Sequence, residues 1–274
     1  MIKESKTSKT VLAQELGVSR SSLYYRPKLP ERDWALKVRI EEILREHPAY
    51  GHKRLALALH LNKKRILRVM HLFGLKPYRR RGKKYHKPKE KWGIYPNLLL
   101  AYHPEHEHHI WVADFTHVAF QGRWVYLATV MDLFTRTIVG FSVLTNHSKA
   151  LVIGALLSAL NHAPRPVIFH SDNGSEYDAE DFLVILRSLG TLVSRSAPGC
   201  PWENGYQESF YGKFKVDLGD SDRFATLGEL VYEIYHTIYV YNNSRIHTAL
   251  KMSPREFAQK HKVATIKELE DGVQ

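Results

Sequence analysis

Three carboxylates occupy positions where a lone charge is costly. Asp114 lies inside an alternating run, Trp111-Val112-Ala113-Asp114-Phe115-Thr116. A charge among apolar strand neighbours costs several kcal/mol unless something compensates it, and a bound cation is the obvious compensation. Asp172 follows an apolar run, in His170-Ser171-Asp172-Asn173-Gly174-Ser175-Glu176. A carboxylate at the carboxyl end of a buried strand, ahead of a glycine-bearing loop, is a recurrent site geometry. Glu208 falls on a predicted helix, with 35 residues between it and Asp172. Carried on two strands and a helix, the three can converge at one end of a sheet. The chemistry such a set supports is phosphodiester cleavage. That reaction needs a deprotonated nucleophile, charge neutralisation at phosphorus and a stabilised leaving oxygen, which two Mg²⁺ (or Mn²⁺) ions ~3.5–4 Å apart provide together. Hard cations take oxygen ligands, hence Asp and Glu in place of Cys or His.

The carriers follow from the hydrophobic period. Residues 110–119 alternate, Gln121-Gly122 makes a turn, residues 124–131 alternate again, and residues 137–143 form a third β-rich run. Three such runs joined by short turns predict an antiparallel meander. Residues 148–161 read as an apolar helix, 167–170 as a short buried strand, 178–189 as a helix, 191–195 as a strand and 204–218 as a helix. The order β-β-β-α-β-α-β-α predicts a mixed sheet covered by helices. Residues 227–241 and 254–261 add helices after it.

The region ahead of the sheet has a different character. The chain carries a net +12, yet residues 1–91 hold 25 Lys and Arg against 8 Asp and Glu, while the remainder holds 15 against 20. A basic front half joined to a slightly acidic back half points to a polyanionic partner for the front. Val11, Leu12 and Leu16 suit a short helix stopped at Gly17. Ser19 is placed to cap a second helix carrying Arg20, Ser21, Ser22 and Tyr24, which Pro27 ends. Two helices about a glycine turn predict a helix-turn-helix, with those four residues on the helix that enters a major groove. A similar unit follows: residues 34–46 and 52–61 are helical, then Asn62 caps residues 63–73. Lys63, Lys64, Arg65 and Arg68 are expected to be exposed there, with Ile66, Leu67, Val69 and Met70 facing a core. Residues 76–92 have no apolar period and carry Arg79, Arg80, Arg81, Lys83 and Lys84, a stretch suited to tracking phosphates by charge. One cysteine, Cys200, excludes an intramolecular disulfide and any Cys-rich zinc site. No apolar run approaches the ~18 residues of a membrane span, so a cytoplasmic, nucleoid-associated protein with no membrane partner is expected.

Taken together, these segments resemble the insertion-sequence-three family of transposases, in the form of its second open reading frame. The resemblance is carried by the segments around Asp114, Asp172 and Glu208, by Tyr126-Leu127-Ala128-Thr129-Val130-Met131-Asp132-Leu133-Phe134, and by Tyr241-Asn242-Asn243-Ser244-Arg245-Ile246-His247. Tyr50-Gly51-His52-Lys53-Arg54 and Asn97-Leu98-Leu99 match upstream. It implies an RNase H-like, retroviral-integrase-like core: a mixed five-stranded sheet with flanking helices, preceded by an all-α helix-turn-helix region. It implies Asp114, Asp172 and Glu208 as the catalytic, metal-binding triad, and Lys215 as a DNA contact near them. It further implies binding to the terminal inverted repeats of an insertion sequence, with strand cleavage and strand transfer into target DNA by a homo-oligomer of at least two chains. An upstream-frame protein, normally fused ahead of such chains, is a possible partner.

The expected division is a helix-turn-helix segment over residues 1–30, a second helical DNA-binding domain over 31–75, a basic linker over 76–105, the catalytic core over 106–222 and a helical extension over 223–274. The alternative reading is a DNA-binding regulator, or a partial transposase inactive without its fused partner. Among the other acids, Asp132 is expected to cap a turn with Thr135, Glu176 to serve the loop or substrate, and Glu203 to serve the following helix N-terminus. The segment His103-Pro104-Glu105-His106-Glu107-His108-His109 is expected to be a solvated loop, though its residue types also suit zinc.

Overall fold

The computed structural model describes residues 8–24, 29–78, 95–197 and 200–271. The chain begins with α1 (Lys9–Glu15), a 3-10 turn (Arg20–Tyr24), α2 (Leu29–Glu46), α3 (His52–Ala58) and α4 (Lys63–Leu72). The expected pair of α-helices about Gly17 is therefore only half present. Arg20–Tyr24 is a five-residue 3-10 turn. The Ser19 hydroxyl accepts from the Ser22 N–H at 3.3 Å and meets the Ser21 and Ser22 hydroxyls at 2.8 Å each. Serines bonding locally in this way compete with the α-helical ladder.

α2, α3 and α4 close around Leu36, Ile40, Tyr50, Leu55, Ile66, Val69 and Met70. Asn62 caps α4 as expected, its side chain accepting from the Lys64 N–H at 2.8 Å. Lys63, Lys64 and Arg65 are exposed. One expectation for α4 needs correction: Leu67 lies off the stripe formed by Ile66, Val69 and Met70 and is 36% exposed. Arg68 is exposed as expected, and its guanidinium also reaches buried Asp33 through two bonds of 2.7 and 2.5 Å, tying α4 to α2.

The sheet follows as β1 (Ile110–Phe120), β2 (Arg123–Asp132), β3 (Ile138–Leu144), then α5 (Lys149–Leu160), β4 (Ile168–Ser171), α6 (Glu180–Ser188), β5 (Leu192–Arg195), α7 (Gly205–Leu218), α8 (Leu227–Asn243) and α9 (Pro254–Asp271). The strand order is β3-β2-β1-β4-β5. The first three strands form the expected meander, and β1–β4 and β4–β5 pair in parallel. The turn from β1 to β2 places Gln121 at φ 47° and Gly122 at φ 76°, the paired positive φ values of a type I′ hairpin. Residues of β1 alternate between two cores. Ile110, Val112, Val118 and Phe120 face α7 and α8, while Trp111 and Ala113 face α5 and α6. Asp114, in phase with Val112, belongs to the α7 face.

Helix α5 lies so close on β3 that a Cβ at Gly140 would fall onto the α5 backbone at Ala155 and Ala159. Gly140→Ala is expected to destabilise the core by about 1–3 kcal/mol through overpacking. The expected readout is a melting temperature several degrees lower by calorimetry. An unchanged melting temperature would show that the two elements part without cost.

Candidate active site

The two aspartates are brought together by strand register. β1 and β4 pair Ile110 with Ile168, Trp111 with Phe169 and Val112 with His170. Carried two residues further, that register sets Asp172, just past the carboxyl end of β4, beside Asp114 in the middle of β1. Asp114 accepts a hydrogen bond from the Phe115 N–H at 2.8 Å. Burial, then the Asp172 charge, and more weakly that of Glu208, push its pKa up to about 7 against this bond. Asp172 accepts from the Gly174 N–H at 3.1 Å, and burial raises its pKa also. A Cβ at Gly174 would sit tightly against both acids, 3.1 Å from the Asp172 Oδ1 and 3.2 Å from Glu176.

Behind Asp172 stands buried Arg195, which donates to the Ser171 hydroxyl at 2.8 Å and to the Tyr177 carbonyl at 2.7 Å. Asn173 donates to the Ser196 carbonyl at 2.5 Å. The loop after β4 is thus tied to β5 on both sides of the aspartate. His170, fully buried, meets the Ser194 hydroxyl at 2.8 Å, and burial and Arg195 hold it neutral with a pKa of about 4.

Glu208 rides on the exposed side of α7. That helix is fastened to β1 by residues that sequence reasoning did not single out. Asn204 donates to the Ala113 carbonyl at 3.2 Å, Gln207 to that of Val112 at 2.7 Å and Tyr211 to that of Asp114 at 2.6 Å. Thr129, opposite Asp114 on β2, donates to Gln207 at 3.0 Å and meets the Tyr211 hydroxyl at 2.8 Å. The available signal was their spacing: three polar groups at positions 204, 207 and 211 share one helical face with Phe210 and Phe214. Among the described residues no three His, Cys, Asp or Glu side chains are gathered closely enough to hold a metal ion. The carboxylates therefore stand as a close aspartate pair with Glu208 on the neighbouring helix. Their chemistry nevertheless fits a divalent cation: all donors are hard oxygens, and among the described residues Asp114 has no cationic partner of its own.

The other acids have separate duties. Asp132 accepts from the Thr135 N–H at 2.7 Å and hydroxyl at 2.8 Å, as expected, and also from the His108 N–H at 2.6 Å. Glu176 is paired with His147 at 2.6 Å. Burial alone would raise its pKa, but its own backbone N–H, His147 and Ser175 together hold it low. Glu203 does not serve the α7 N-terminus. It accepts from the Ala197 N–H at 2.6 Å and from Asn97 at 2.9 Å, bracing the preceding loop.

The DNA-contact candidates scatter. Arg20, Ser21 and Ser22 are exposed on the 3-10 turn, which also includes Tyr24. Arg79, Arg80, Arg81, Lys83 and Lys84 lie outside the described residues. Lys215 sits two turns along α7 from Glu208. It lines a cavity of about 650 Å³ with Tyr78, His117 and Trp124. In the histidine-rich segment, His106 and His109 stack at 4.9 Å.

Residues 104–201 match an integrase core domain family, and residues 189–254 match a second family of that description. The chain is 32% identical, over 241 residues, to the transposase for insertion sequence element IS904 of Lactococcus lactis subsp. lactis (strain IL1403), spanning 81% of this chain and 92% of that protein. The chain belongs to the insertion-sequence-three family of transposases. Within it, the putative transposase InsK for element IS150 of Escherichia coli (strain K12) is 31% identical over 261 residues, 90% of this chain and 92% of that one. Among solved structures, a chain of the simian T-cell lymphotropic virus intasome in complex with PP2A regulatory subunit B56 gamma superposes with a TM-score of 0.50 at 20% identity, covering 75% of this chain and 70% of that one. The shared fold is the integrase-core, RNase H-like sheet, here preceded by a helical region. No helix among the described residues of this transposase-family chain is long and apolar enough to cross a membrane.

The raised pKa of Asp114 has a thermodynamic consequence. An aspartate titrates near 4 in an unfolded chain and here at about 7. Between those values the folded state holds a proton that the unfolded chain has released. The stability of the metal-free protein therefore falls as pH rises from about 4 to about 7, and the deficit is complete above that. Asp114→Asn is expected to stabilise the chelator-treated protein at pH 8, by up to about 4 kcal/mol, and to make no difference at pH 4. Equal melting curves at both pH values would rule out an uncompensated Asp114.

Proposed function

We propose that this chain is a DDE transposase, a polynucleotidyl transferase that binds the terminal inverted repeats of an insertion sequence and carries out DNA strand cleavage and strand transfer. The observation that carries this reading is the parallel β1–β4 register, which sets Asp114 beside Asp172 with both pKa values raised. Two desolvated carboxylates on neighbouring strands are unfavourable on their own and favourable around a divalent cation. Asp114, Asp172 and Glu208 are the residues that would hold Mg²⁺ or Mn²⁺, two ions per site. When bound, these ions supply Lewis-acid activation of the attacking hydroxyl and neutralisation of charge at phosphorus.

The protein's own share is positional. Tyr211 and Gln207 hold the β1 backbone on either side of Ala113, so Asp114 keeps its place while DNA is drawn in. Arg195 and Asn173 fix the loop that carries Asp172. Glu208, exposed on α7 while Gln207 and Tyr211 fix that helix to β1, completes the set by a movement of its side chain. The basic front half, with Lys63, Lys64 and Arg65 exposed on α4, supplies sequence-independent affinity for double-stranded DNA. Domains at residues 1–30 and 31–75, the basic linker at 76–105, a core at 106–222 and an extension at 223–274 describe this division of labour. Pairing two element ends calls for at least a dimer, and an upstream-frame protein completes the product where it is fused.

The test is strand cleavage and joining on labelled duplexes carrying the element's own ends, with Mg²⁺ or Mn²⁺, for wild type, Asp114→Asn, Asp172→Asn and Glu208→Gln. Each substitution is expected to lower the rate at least about a thousandfold, the effect of losing several kcal/mol of charge stabilisation, while gel-shift affinity persists. Binding without cleavage by both the wild type and its frame-fused form would instead favour a DNA-binding regulator.

A further inference from the structure

The helical unit meets the core across a seam where positive charge exceeds negative. Tyr50, just ahead of α3, accepts from the Ile246 N–H at 2.7 Å, and Arg54 donates to the Ile246 carbonyl at 2.9 Å. Ile246, in the turn after α8, packs on the core of the helical unit. The guanidinium groups of Arg54 and Arg245 flank the Tyr50 ring at 5.7 and 5.8 Å. Arg245 is only 2% exposed, and its Nε donates to Asp217 on α7 at 2.5 Å. Lys213, one turn earlier, donates to the Ser209 hydroxyl at 2.8 Å. Among the described residues neither Lys213 nor Arg54 has an ion-pair partner. Two guanidinium cations, the Lys213 ammonium and the ring of His247 therefore share one carboxylate, Asp217, while Glu46 at the end of α2 acts on His47.

Polar atoms are left over as well. Arg245 Nη2 and His247 Nδ1 are buried without a hydrogen-bond partner, as is the second oxygen of Asp217. A buried N–H with no acceptor costs about 1–3 kcal/mol, more for a charged group. Rotating Arg245 onto both Asp217 oxygens would use two of these atoms, but Arg54 and Lys213 would stay unneutralised. The titration of neighbours reports the same potential. Burial first, then Arg54 and Arg245, push Lys213 down to about 8. Burial, then Lys213, Arg136, Arg54 and Arg245, push His247 down to about 4. Lys213, Arg54 and His247 remain half-exposed, which leaves the seam open to an anion from solvent. Lys213 lies five residues along α7 from Glu208, about 140° round the helix, so the seam is separate from the carboxylate site.

We propose that this seam is a phosphate-binding site, in which one phosphate group seats among Arg54, Lys213, Arg245 and His247 and thereby ties the helical unit to the core. A phosphate oxygen accepts from the half-exposed Lys213 ammonium and Arg54 guanidinium, with buried Arg245 behind them, and the planar guanidinium favours this tetrahedral anion over chloride. The group comes either from a DNA backbone, an arm that rests on the proposed function, or from free phosphate, which does not.

Two measurements on the full chain test this. In the first, the melting temperature at pH 7 is followed against sodium phosphate, with sodium chloride at equal ionic strength as reference. Wild type is expected to gain a few degrees saturably. Lys213→Gln is expected to need at least about fivefold more phosphate, whereas Lys213→Arg and the remote Arg165→Gln behave as wild type. In the second, fluorescence anisotropy of a short terminal-repeat duplex is measured against salt. Lys213→Gln is expected to lower the slope of log K against log salt by about 1. A phosphate response with an unchanged slope assigns the site to the free anion. A changed slope assigns it to the DNA backbone. No phosphate-specific stabilisation together with an unchanged slope would overturn the proposal and leave Asp217 as the only counter-charge. Neither arm reads strand cleavage, so failure here is distinct from failure of the transposase reading. Lys213→Gln loses one hydrogen bond, to Ser209 on its own helix, and Arg54→Gln provides a second variant should it misfold.

Discussion

The hydrogen bonds from α7 to the backbone of β1 govern the site. A strand that must present a carboxylate from its middle needs its peptide groups held while the side chain stays available. Asn204, Gln207 and Tyr211 do this by donating to three successive carbonyls, Ala113, Val112 and Asp114, from the helix that also carries Glu208. Because the same helix supplies the clamp and the third carboxylate, Glu208 cannot drift far from the strand without breaking buried hydrogen bonds. Thr129 on β2 closes the network from the other side. Buried polar groups of this kind are costly when partly satisfied and rigidifying when fully satisfied.

Held in this way, Asp114 and Asp172 repel one another in a desolvated setting. Two neighbouring acids are placed differently. Burial raises Asp132 as well, but three hydrogen-bond donors oppose it, and Glu176 is held low beside His147. The contrast separates structural carboxylates, which own their donors, from Asp114, which has a single backbone N–H. Arg195 lies behind Asp172 and spends its donors on Ser171 and Tyr177. It shapes the loop and leaves the acid oxygens outward.

The seam between the helical unit and the core is organised by the opposite imbalance. Tyr50 and Arg54 grip the turn after α8, and Arg245 enters the same contact from the core. The resemblance segments that contain Tyr50 and Arg245 thus meet in space, although nearly two hundred residues separate them along the chain. Helix α7 thus carries a carboxylate of the candidate metal site on one side and the cationic seam on another.

Much of this was legible in the residues alone. Period-two alternation, the Gln121-Gly122 turn and the apolar run of α5 sufficed for five strands and their helices, because burial on one face imposes those patterns directly. The carboxylates stood out because Asp114 breaks an apolar strand and Asp172 precedes a glycine loop. The sequence could not disclose that Arg68 belongs to Asp33, that Glu203 braces the loop at Ala197, or that three serines close a 3-10 turn in place of a helix. Those outcomes depend on partners distant in sequence or on competition between local hydrogen bonds. Nor could it say which polar residues on α7 face inward, since Gln207 and Tyr211 read as ordinary surface side chains until the strand carbonyls are set beneath them. Sequence determined which residues must be buried and where charge is anomalous, because burial and desolvation act on each residue through its near neighbours. Only the tertiary structure decided who neutralises whom, because a hydrogen bond or ion pair exists at one distance and one angle, and the fold alone sets both.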